Sequence, residues 1–166
     1  MILKGIIDED FVNYKKPGMT LFFPNCSFKC DKDCGMRVCQ NSALATSKNI
    51  EANRFDIVSR YLFNPITESI IFSGLEPFDS WEDLKLLVKT FREKTNDMIV
   101  IYSGYTEEEL EYECHEDYIE NKIIWLQKYP NITIKFGRYI PNQESHYDEV
   151  LGVTLASPNQ YAKVVS

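Results

Sequence analysis

Apolar residues recur at helical spacing in three stretches of the chain. In residues 80–95 they fall at i, i+3, i+4 and i+7, which predicts a helix with one buried face. These residues are Leu84, Leu87, Val88 and Phe91. Residues 106–129 open with Thr-Glu-Glu-Glu, a capping-box pattern with acids that the helix dipole favours, and predict a second long helix. Residues 50–63 predict a third, weaker helix.

Short runs of β-branched and aromatic residues lie between these helices and predict strands. The runs are Gly18–Phe23, 68–72, 97–102, Ile132–Phe136 and 150–156, with a further candidate at 2–7. Two of the runs are almost continuously apolar, as in parallel strands that are covered on both faces. Strands that alternate with helices predict an α/β fold built from βαβ units. A complete barrel of eight such units needs roughly 200 residues. We therefore expect a partial, open (β/α) barrel in a single compact domain over residues 1–166.

The charge balance narrows the range of partners. The chain has 18 Lys and Arg against 25 Asp and Glu, a net charge of −7. Such an acidic surface disfavours nucleic acid and anionic membranes as partners. The sequence contains no apolar run near the roughly 20 residues of a membrane span, and its first ten residues do not resemble a signal peptide. We therefore expect a cytoplasmic protein.

Four of the five cysteines fall within fourteen residues, at Cys26, Cys30, Cys34 and Cys39. In a reducing compartment such a cluster indicates a metal or redox site rather than disulfides. The spacing lacks the Cys-x2-Cys knuckle of most structural zinc sites, and both histidines lie far downstream. Iron–sulfur chemistry is therefore favoured. A zinc-binding interaction module without catalysis is the alternative from another class.

Three loops follow predicted strands and carry candidate chemistry. They are the cysteine loop 24–41, the loop 73–77 and the loop 102–105. Because the carboxyl ends of parallel strands meet at one edge of a sheet, we expect the three loops to converge there.

The cysteine loop resembles a known family. Pro-Asn-Cys-Ser-Phe-Lys-Cys at 24–30 and Val-Cys-Gln-Asn at 38–41 resemble the opening and the close of the radical S-adenosylmethionine (SAM) cluster loop. In that family three cysteines hold a [4Fe–4S] cluster, and the fourth iron stays open for SAM. The resemblance implies Cys26, Cys30 and Cys39 as ligands, with Cys34 as the alternative third ligand. The family normally has a Cys-x2-Cys step between its second and third cysteines, and this sequence lacks that step. Residues 31–37 would form an inserted segment.

The other two loops extend the resemblance. Ser-Gly-Leu-Glu-Pro at 73–77 resembles the Ser-Gly-Gly-Asp/Glu-Pro segment that lines the amino group of SAM. It implies that Ser73, Gly74 and Glu76 bind the cofactor. Ser103 and Gly104 in the third loop would line the adenosine or methionine region.

Three further motifs resemble the activating enzymes of the anaerobic (class III) ribonucleotide reductase. They are Tyr-Ser-Gly-Tyr-Thr-Glu-Glu-Glu-Leu at 102–110, Gly-Arg-Tyr-Ile at 137–140 and Leu-Ala-Ser-Pro-Asn-Gln at 155–160. The resemblance implies a radical SAM oxidoreductase with a [4Fe–4S] cluster and SAM as cofactors. It would cleave SAM reductively and abstract a glycine Cα hydrogen on a large reductase, with no catalytic residue beyond the cluster and SAM. An electron donor such as a flavodoxin would be the second partner. Another small radical SAM enzyme, such as a different glycyl-radical activase or a deazaguanine synthase-like enzyme, is the alternative within the class.

Overall fold

The computed structural model describes residues 1–111, 113–114 and 119–166, and strands make up much of this part of the chain. The described strands are β1 (Ile2–Leu3), β2 (Gly5–Asp10), β3 (Gly18–Phe23), β4 (Ile50–Glu51), β5 (Ser69–Gly74), β6 (Met98–Tyr102), β7 (Glu113–Cys114), β8 (Ile119–Glu120), β9 (Ile132–Phe136), β10 (His146–Asp148), β11 (Val153–Leu155) and β12 (Tyr161–Val164).

Helices connect most of the strands at the centre of the fold. The described helices are α1 (Lys29–Cys34), α2 (Ser42–Thr46), α3 (Arg54–Phe63), α4 (Trp81–Arg92), α5 (Glu107–Glu111) and α6 (Lys122–Leu126), with a 3-10 helix at Pro77–Ser80. Among them α4 is the longest, at 12 residues. None of the described helices combines the length and the apolar character needed to cross a bilayer.

A six-stranded sheet forms the centre of the molecule, in the order β12-β9-β6-β5-β3-β2. Its four inner strands, β9, β6, β5 and β3, run parallel, and the outer strands β12 and β2 run antiparallel to their neighbours. The mixed α/β class that the sequence predicts is therefore confirmed. The partial barrel stays a prediction.

The sheet is covered on both faces, which explains the continuous apolar runs of its inner strands. In β5, Ile70 and Phe72 face a large cluster that also contains the buried apolar residues of α3, α4, α5 and α6. Ile71 faces the opposite side, where it packs in a smaller cluster with Leu151 and Leu155. Helices thus cover one face, and the segment that carries β10 and β11 covers part of the other.

Two predicted helices are wrong in extent. Within 106–129 the structure places α5, the strand pair β7 and β8, and then α6, while residues 112 and 115–118 of that prediction lie outside the described residues. A new helix begins at α6 because the Asn121 side chain accepts a hydrogen bond from the Ile124 N–H at 2.8 Å. Similarly, Asn53 caps α3 through the Phe55 N–H at 2.9 Å, so residues 50–51 form β4 instead.

The strand predictions at the two ends of the chain also need correction. Residues 2–7 are divided between β1 and β2, and within 150–156 only the three residues of β11 are extended. The sequence patterns did not indicate β10 or β12. Both are short, and β12 lies at the edge of the sheet with most of its residues exposed, so it lacks a buried apolar run.

Candidate functional site

The loops that follow β3, β5, β6 and β9 meet at one edge of the sheet and surround a cavity. Its volume is about 710 Å³ when the open solvent at its mouth is included. The cavity is lined by Cys26, Ser27, Lys29, Cys30, Cys39, Gln40, Asn41, Leu75, Glu76, Tyr102, Ser103, Gly104, Tyr105, Lys135, Gly137, Arg138, Tyr139 and Gln160. The convergence of the three predicted loops is therefore confirmed, and a fourth loop, after β9, joins them.

Three of the four clustered cysteines line this cavity. Cys26, Cys30 and Cys39 face it, whereas Cys34, at the end of α1, lines a neighbouring cavity that it shares with Cys30. The arrangement favours the predicted set over the alternative with Cys34. The assignment of the iron ligands stays a prediction.

Asp31 joins the beginning of the inserted segment to the residues that follow its end. Its Oδ1 accepts hydrogen bonds from the backbone N–H groups of Val38 and Cys39, both at 2.8 Å. Between these ends the chain completes α1 and turns at Gly35, whose φ of 63° is left-handed. The eight residues between Cys30 and Cys39 therefore form a loop whose two ends meet. As a result, the two thiols lie side by side.

Two of the three thiols, those of Cys26 and Cys30, have raised pKa values. Burial raises the pKa of Cys26 to about 12, and Glu76 and Asp79 add repulsion. Burial and the neighbouring Cys39 raise the pKa of Cys30 to about 11. Metal binding at this site must therefore displace protons, as it does at thiolate sites in general.

Glu76 joins the second and third loops. It is 4% exposed, and its Oε1 accepts hydrogen bonds from Ser103 Oγ at 3.0 Å and from the Phe78 N–H at 3.2 Å. Its Oε2 accepts one from the Gly104 N–H at 2.8 Å. Burial raises the pKa of Glu76 to about 7 despite these bonds. A carboxylate has about four acceptor positions, so these three donors leave one for a ligand.

Two of the five predicted cofactor-binding residues do not line the described cavity. Ser73 lies within β5 opposite Phe22 of β3. Gly74 has a φ of 97°, and a Cβ there would lie 2.5 Å from the backbone nitrogen of Phe23. The Gly74 carbonyl accepts a hydrogen bond from Asn41 Nδ2 at 2.6 Å. Gly74 therefore anchors the end of the cysteine loop, while Glu76, Ser103 and Gly104 face the cavity.

Lys135 is a site residue that the sequence reasoning missed. Its Nζ donates hydrogen bonds to the carbonyls of Ser103, at 3.2 Å, and Gly137, at 2.6 Å. Burial lowers the pKa of Lys135 to about 8, and the charge of Glu76 acts in the opposite direction. The sequence did contain a signal for this residue, namely a lysine inside the apolar run of β9. A lysine is seldom buried in a strand unless its ammonium has partners.

Asp79 is a second missed residue, and it joins the first and third loops. One of its carboxylate oxygens accepts a hydrogen bond from the Ser27 N–H at 2.5 Å, and the other accepts one from the Tyr105 hydroxyl at 2.5 Å. The ammonium of Lys29 lies 4.3 Å from the centre of the Tyr105 ring, in a cation–π contact. These contacts hold the wall of the cavity between the cysteines and α5.

An ion-pair network attaches the inserted segment to the rest of the site. Arg138 lies 3.2 Å from Asp33 and 2.5 Å from Glu109, which in turn lies 3.3 Å from Lys29. Burial acts to raise the pKa of Glu109, but the hydrogen bonds from Arg138 and the Thr106 N–H, together with the charges of Arg138 and Lys29, outweigh it and hold this pKa at about 2. The network thus links α1, α5 and the loop after β9.

The motif at 155–160, which we call the tail motif, forms another side of the site. Gln160 Oε1 accepts hydrogen bonds from the N–H groups of Ala156 and Ser157, and Asn159 Nδ2 donates to the Arg138 carbonyl at 2.7 Å. Gly137 has a φ of 93°, and a Cβ there would lie 2.5 Å from the Asn159 carbonyl oxygen. The Gly-Arg-Tyr-Ile motif and the tail motif are therefore one packed unit beside the cavity.

The donor set fits a [4Fe–4S] cluster. Thiolates are the usual ligands of such clusters, and three thiols face a shared space here. In the described residues no group of three or more His, Cys, Asp or Glu side chains is arranged around a single metal ion. A cluster places its ligands on separate irons, so its thiols do not need to converge on one point.

Comparison with known proteins agrees with this chemistry. The family model described as a 4Fe-4S single cluster domain matches residues 17–145, more than three quarters of the chain. The chain belongs to this family. No curated protein and no solved structure matches the chain. The family supports the predicted iron–sulfur chemistry and metal binding over the zinc alternative.

Proposed function

We propose that this protein is a radical SAM enzyme that activates an anaerobic ribonucleotide reductase by forming a glycyl radical on it. The observation that carries the proposal is the cavity in which Cys26, Cys30 and Cys39 face Glu76 and Gly104. The motifs that resemble the activating enzymes contribute walls to this same cavity. The family adds the [4Fe–4S] cluster.

In this proposal the three thiols bind three irons and leave the fourth iron to SAM. Cys34 lines the neighbouring cavity, so it is placed to leave that fourth position free. Together, the bound cluster and SAM supply a reagent that abstracts a hydrogen atom from an unactivated C–H bond.

Polar groups opposite the cysteines would orient SAM. The remaining acceptor position of Glu76 suits the ammonium of the methionine moiety, since a charge-assisted hydrogen bond in a buried site is strong. Ser103 and Gly104 hold the Glu76 carboxylate in place and would line the adenosine or methionine region. Lys135, which bonds the Ser103 carbonyl, keeps the ends of β6 and β9 together.

The substrate would be a glycine within a protein loop. Such a loop needs an open approach to the site, and the cysteine loop and the tail motif form the rim. In the described rim, the inserted segment 31–37 is mostly exposed, as is Asn159 of the tail. A rim of this kind can accept a peptide segment of a larger partner.

The test begins with anaerobic reconstitution and measurement of iron and sulfide. Electron spin resonance spectra with and without SAM should differ, because SAM would bind the open iron. Incubation with a large anaerobic reductase, SAM and a reductant should then produce a glycyl doublet on the reductase.

Two other results of these experiments would lead to different conclusions about the function. SAM cleavage with modification of a small molecule, and no doublet, would indicate the alternative radical SAM enzyme. A colourless protein that retains zinc and no iron would contradict the proposal entirely.

A further inference from the structure

A second cavity lies beside the one in which the proposed function places the cluster and SAM. Its volume is about 620 Å³ when the open solvent at its mouth is included. Cys30, Arg138 and Tyr139 line both cavities, so these side chains form the boundary between them. Cys34 and Ile140 line the second cavity but not the first. The second cavity is therefore a separate space that adjoins the proposed cofactor site.

The wall of the second cavity has no unbalanced charge. Among the described residues that line it, the charged side chains are Asp33 and Arg138, which form an ion pair at 3.2 Å. Arg138 also pairs with Glu109, and Glu109 pairs in turn with Lys29. Each cation of this network is thus matched by a carboxylate. Because a charged ligand would find no uncompensated partner here, the wall favours an occupant that is polar and neutral.

Three polar side chains on this wall keep the capacity to form hydrogen bonds within the described structure. Arg138 Nε is buried and has no aligned acceptor, although Asp33 lies 3.2 Å away. Thr106 Oγ1 accepts a hydrogen bond from the Glu109 N–H at 3.2 Å, which leaves the hydroxyl proton to donate. Asn159 uses one N–H for the Arg138 carbonyl and keeps its other N–H and its amide oxygen. The wall therefore offers both donors and an acceptor.

A polypeptide backbone matches these properties. It is neutral, and each of its residues except proline carries one N–H donor and one C=O acceptor. A buried donor without a partner is unfavourable, so a backbone carbonyl that reaches Arg138 Nε would remove that penalty. At the boundary between the cavities a glycine fits best, because without a Cβ its backbone can approach a wall closely.

The mouth of the second cavity is open and lies on the proposed rim. Ile140 is 40% exposed, and Asp33 and Asn159 are exposed as well. Asp33 belongs to the inserted segment and Asn159 to the tail motif, so the cavity opens between these two parts of the rim. A pocket for a small molecule encloses most of its ligand, whereas a chain that continues at both ends needs an open mouth.

We propose that the second cavity binds, as an extended chain, the segment of a partner protein that carries the target glycine, with that glycine at the boundary near Tyr139. The inference rests on the proposed function, which requires such a segment but gives it no residues within the site. There the glycine presents a Cα–H bond to the first cavity. The hydrogen atom leaves with one electron of that bond and joins the carbon radical derived from SAM, while the other electron stays on the glycine Cα.

The first test locates the segment directly. The photoreactive amino acid p-benzoylphenylalanine replaces Ile140, the reconstituted protein is irradiated with SAM and the intact anaerobic reductase, and mass spectrometry identifies the crosslinked residues. We expect the crosslink beside the target glycine. The same replacement of Ile66 is the matched control, because Ile66 is similarly exposed, at 43%, and precedes β5, at the opposite end of the sheet from the cavity. No crosslink from position 140, a crosslink elsewhere on the reductase, or the same crosslink from position 66 would overturn the proposal.

The second test fills the mouth of the cavity. Ile140→Trp enlarges the side chain there, and Ile66→Trp makes the same change in the control position. The probe is a short synthetic peptide with the reductase sequence around the target glycine, titrated by fluorescence anisotropy against reconstituted protein with SAM. We expect Kd to rise at least about tenfold for Ile140→Trp and less than about twofold for Ile66→Trp. Equal effects would overturn the proposal. If Ile140→Trp does not assemble a cluster, Ile140→Ser replaces it, and an unchanged Kd for that variant would overturn the proposal too.

Two further measurements separate this proposal from the proposed function. Calorimetry without the reductase should give Ile140→Trp the wild-type affinity for SAM. A loss of about tenfold would show that the second cavity belongs to the SAM site, and the assignment to a peptide would be wrong. Electron spin resonance then follows the glycyl doublet on the reductase. A wild-type protein that forms no doublet contradicts the proposed function, whereas a full doublet with Ile140→Trp contradicts the peptide site alone.

Discussion

Among single residues, the cysteines give the sharpest test of the site. Cys39 faces the cavity with Cys26 and Cys30, while Cys34 faces its neighbour. We expect Cys39→Ala to lose iron retention and SAM cleavage, and Cys34→Ala to keep most of both. Iron content and methionine release after anaerobic reconstitution measure the two effects. An inactive Cys34→Ala beside an unaffected Cys39→Ala would reverse the ligand assignment.

Glu76 allows a second prediction at the residue scale. Replacement by Gln preserves its shape but removes the charge that would face an ammonium. The expected loss is roughly 1.5–3 kcal/mol, or about a tenfold to hundredfold weaker affinity for SAM. Calorimetry on the reconstituted variant measures the affinity, and its cluster absorbance confirms that the iron is retained. Unchanged affinity would remove Glu76 from the SAM site.

Glu109 predicts a pH dependence of stability. Its pKa in the folded protein is about 2, below the ordinary value of 4.5, so the ion pair with Arg138 stabilises the fold above pH 4.5. This contribution is lost as the pH falls from 4.5 through 2. At pH 7 we expect Glu109→Gln to lower the free energy of unfolding by about 1 kcal/mol, since the carboxylate is partly exposed. Urea unfolding from pH 7 to pH 2.5 should show the two proteins converging, and a constant difference would contradict the prediction.

At the scale of elements, the sequence predicted the parts with a long or covered apolar pattern. The strands β3 and β9 match their predicted bounds, and α4 lies within its predicted stretch, because each is fixed by contacts with the large cluster. The prediction of one long helix over 106–129 was wrong, because the spacing of apolar residues does not show that a capping residue such as Asn121 begins a new helix. The short helices α1 and α2 have no buried residue, so they carry no periodic signal.

The site, like the fold, was only partly predictable from the sequence. Its motif-bearing loops could be predicted, since each follows an apolar strand and contains distinctive residues. Lys135 and Asp79 could not be placed, because their roles depend on contacts between loops that are far apart in the chain. Ser73 was assigned from its motif alone, yet its place within β5 keeps it from the cavity.

Gly74 gives a prediction at the element scale, where β5 meets the cysteine loop. An added Cβ would meet the Phe23 nitrogen at 2.5 Å, and the φ of 97° disfavours any side chain. We expect Gly74→Ala to cost about 2–3 kcal/mol of unfolding free energy. Gly35→Ala is the matched control, because its φ is also positive but nothing lies within 4 Å of the added Cβ. Its cost should be about 1 kcal/mol, and equal losses in urea unfolding would show that packing at Gly74 is unimportant.

At the scale of the whole molecule, the sheet should not depend on the cluster for its fold. Residues 24–56 include no buried residue, whereas the large cluster holds the sheet and its helices together. After removal of iron by a chelator, we expect far-ultraviolet circular dichroism to change little. Trypsin should then cleave at Lys32 and Arg37 at least about tenfold faster than in the reconstituted protein. Loss of the whole circular dichroism signal would contradict this independence.

The unburied stretch 24–56 also bears on how such a chain can evolve. The free energy of closing a loop rises slowly with its length, by about 0.6 kcal/mol for each doubling, and a loop outside the core displaces no packed side chain. Residues could therefore be added between Cys30 and Cys39 at little cost, provided that one group returned the chain to its starting point. Asp31 is that group here. With Cys26, Cys30 and Cys39 as the proposed ligands, the unusual cysteine spacing would be an insertion that the fold tolerates, because Cys30 and Cys39 line the same cavity despite their separation along the chain.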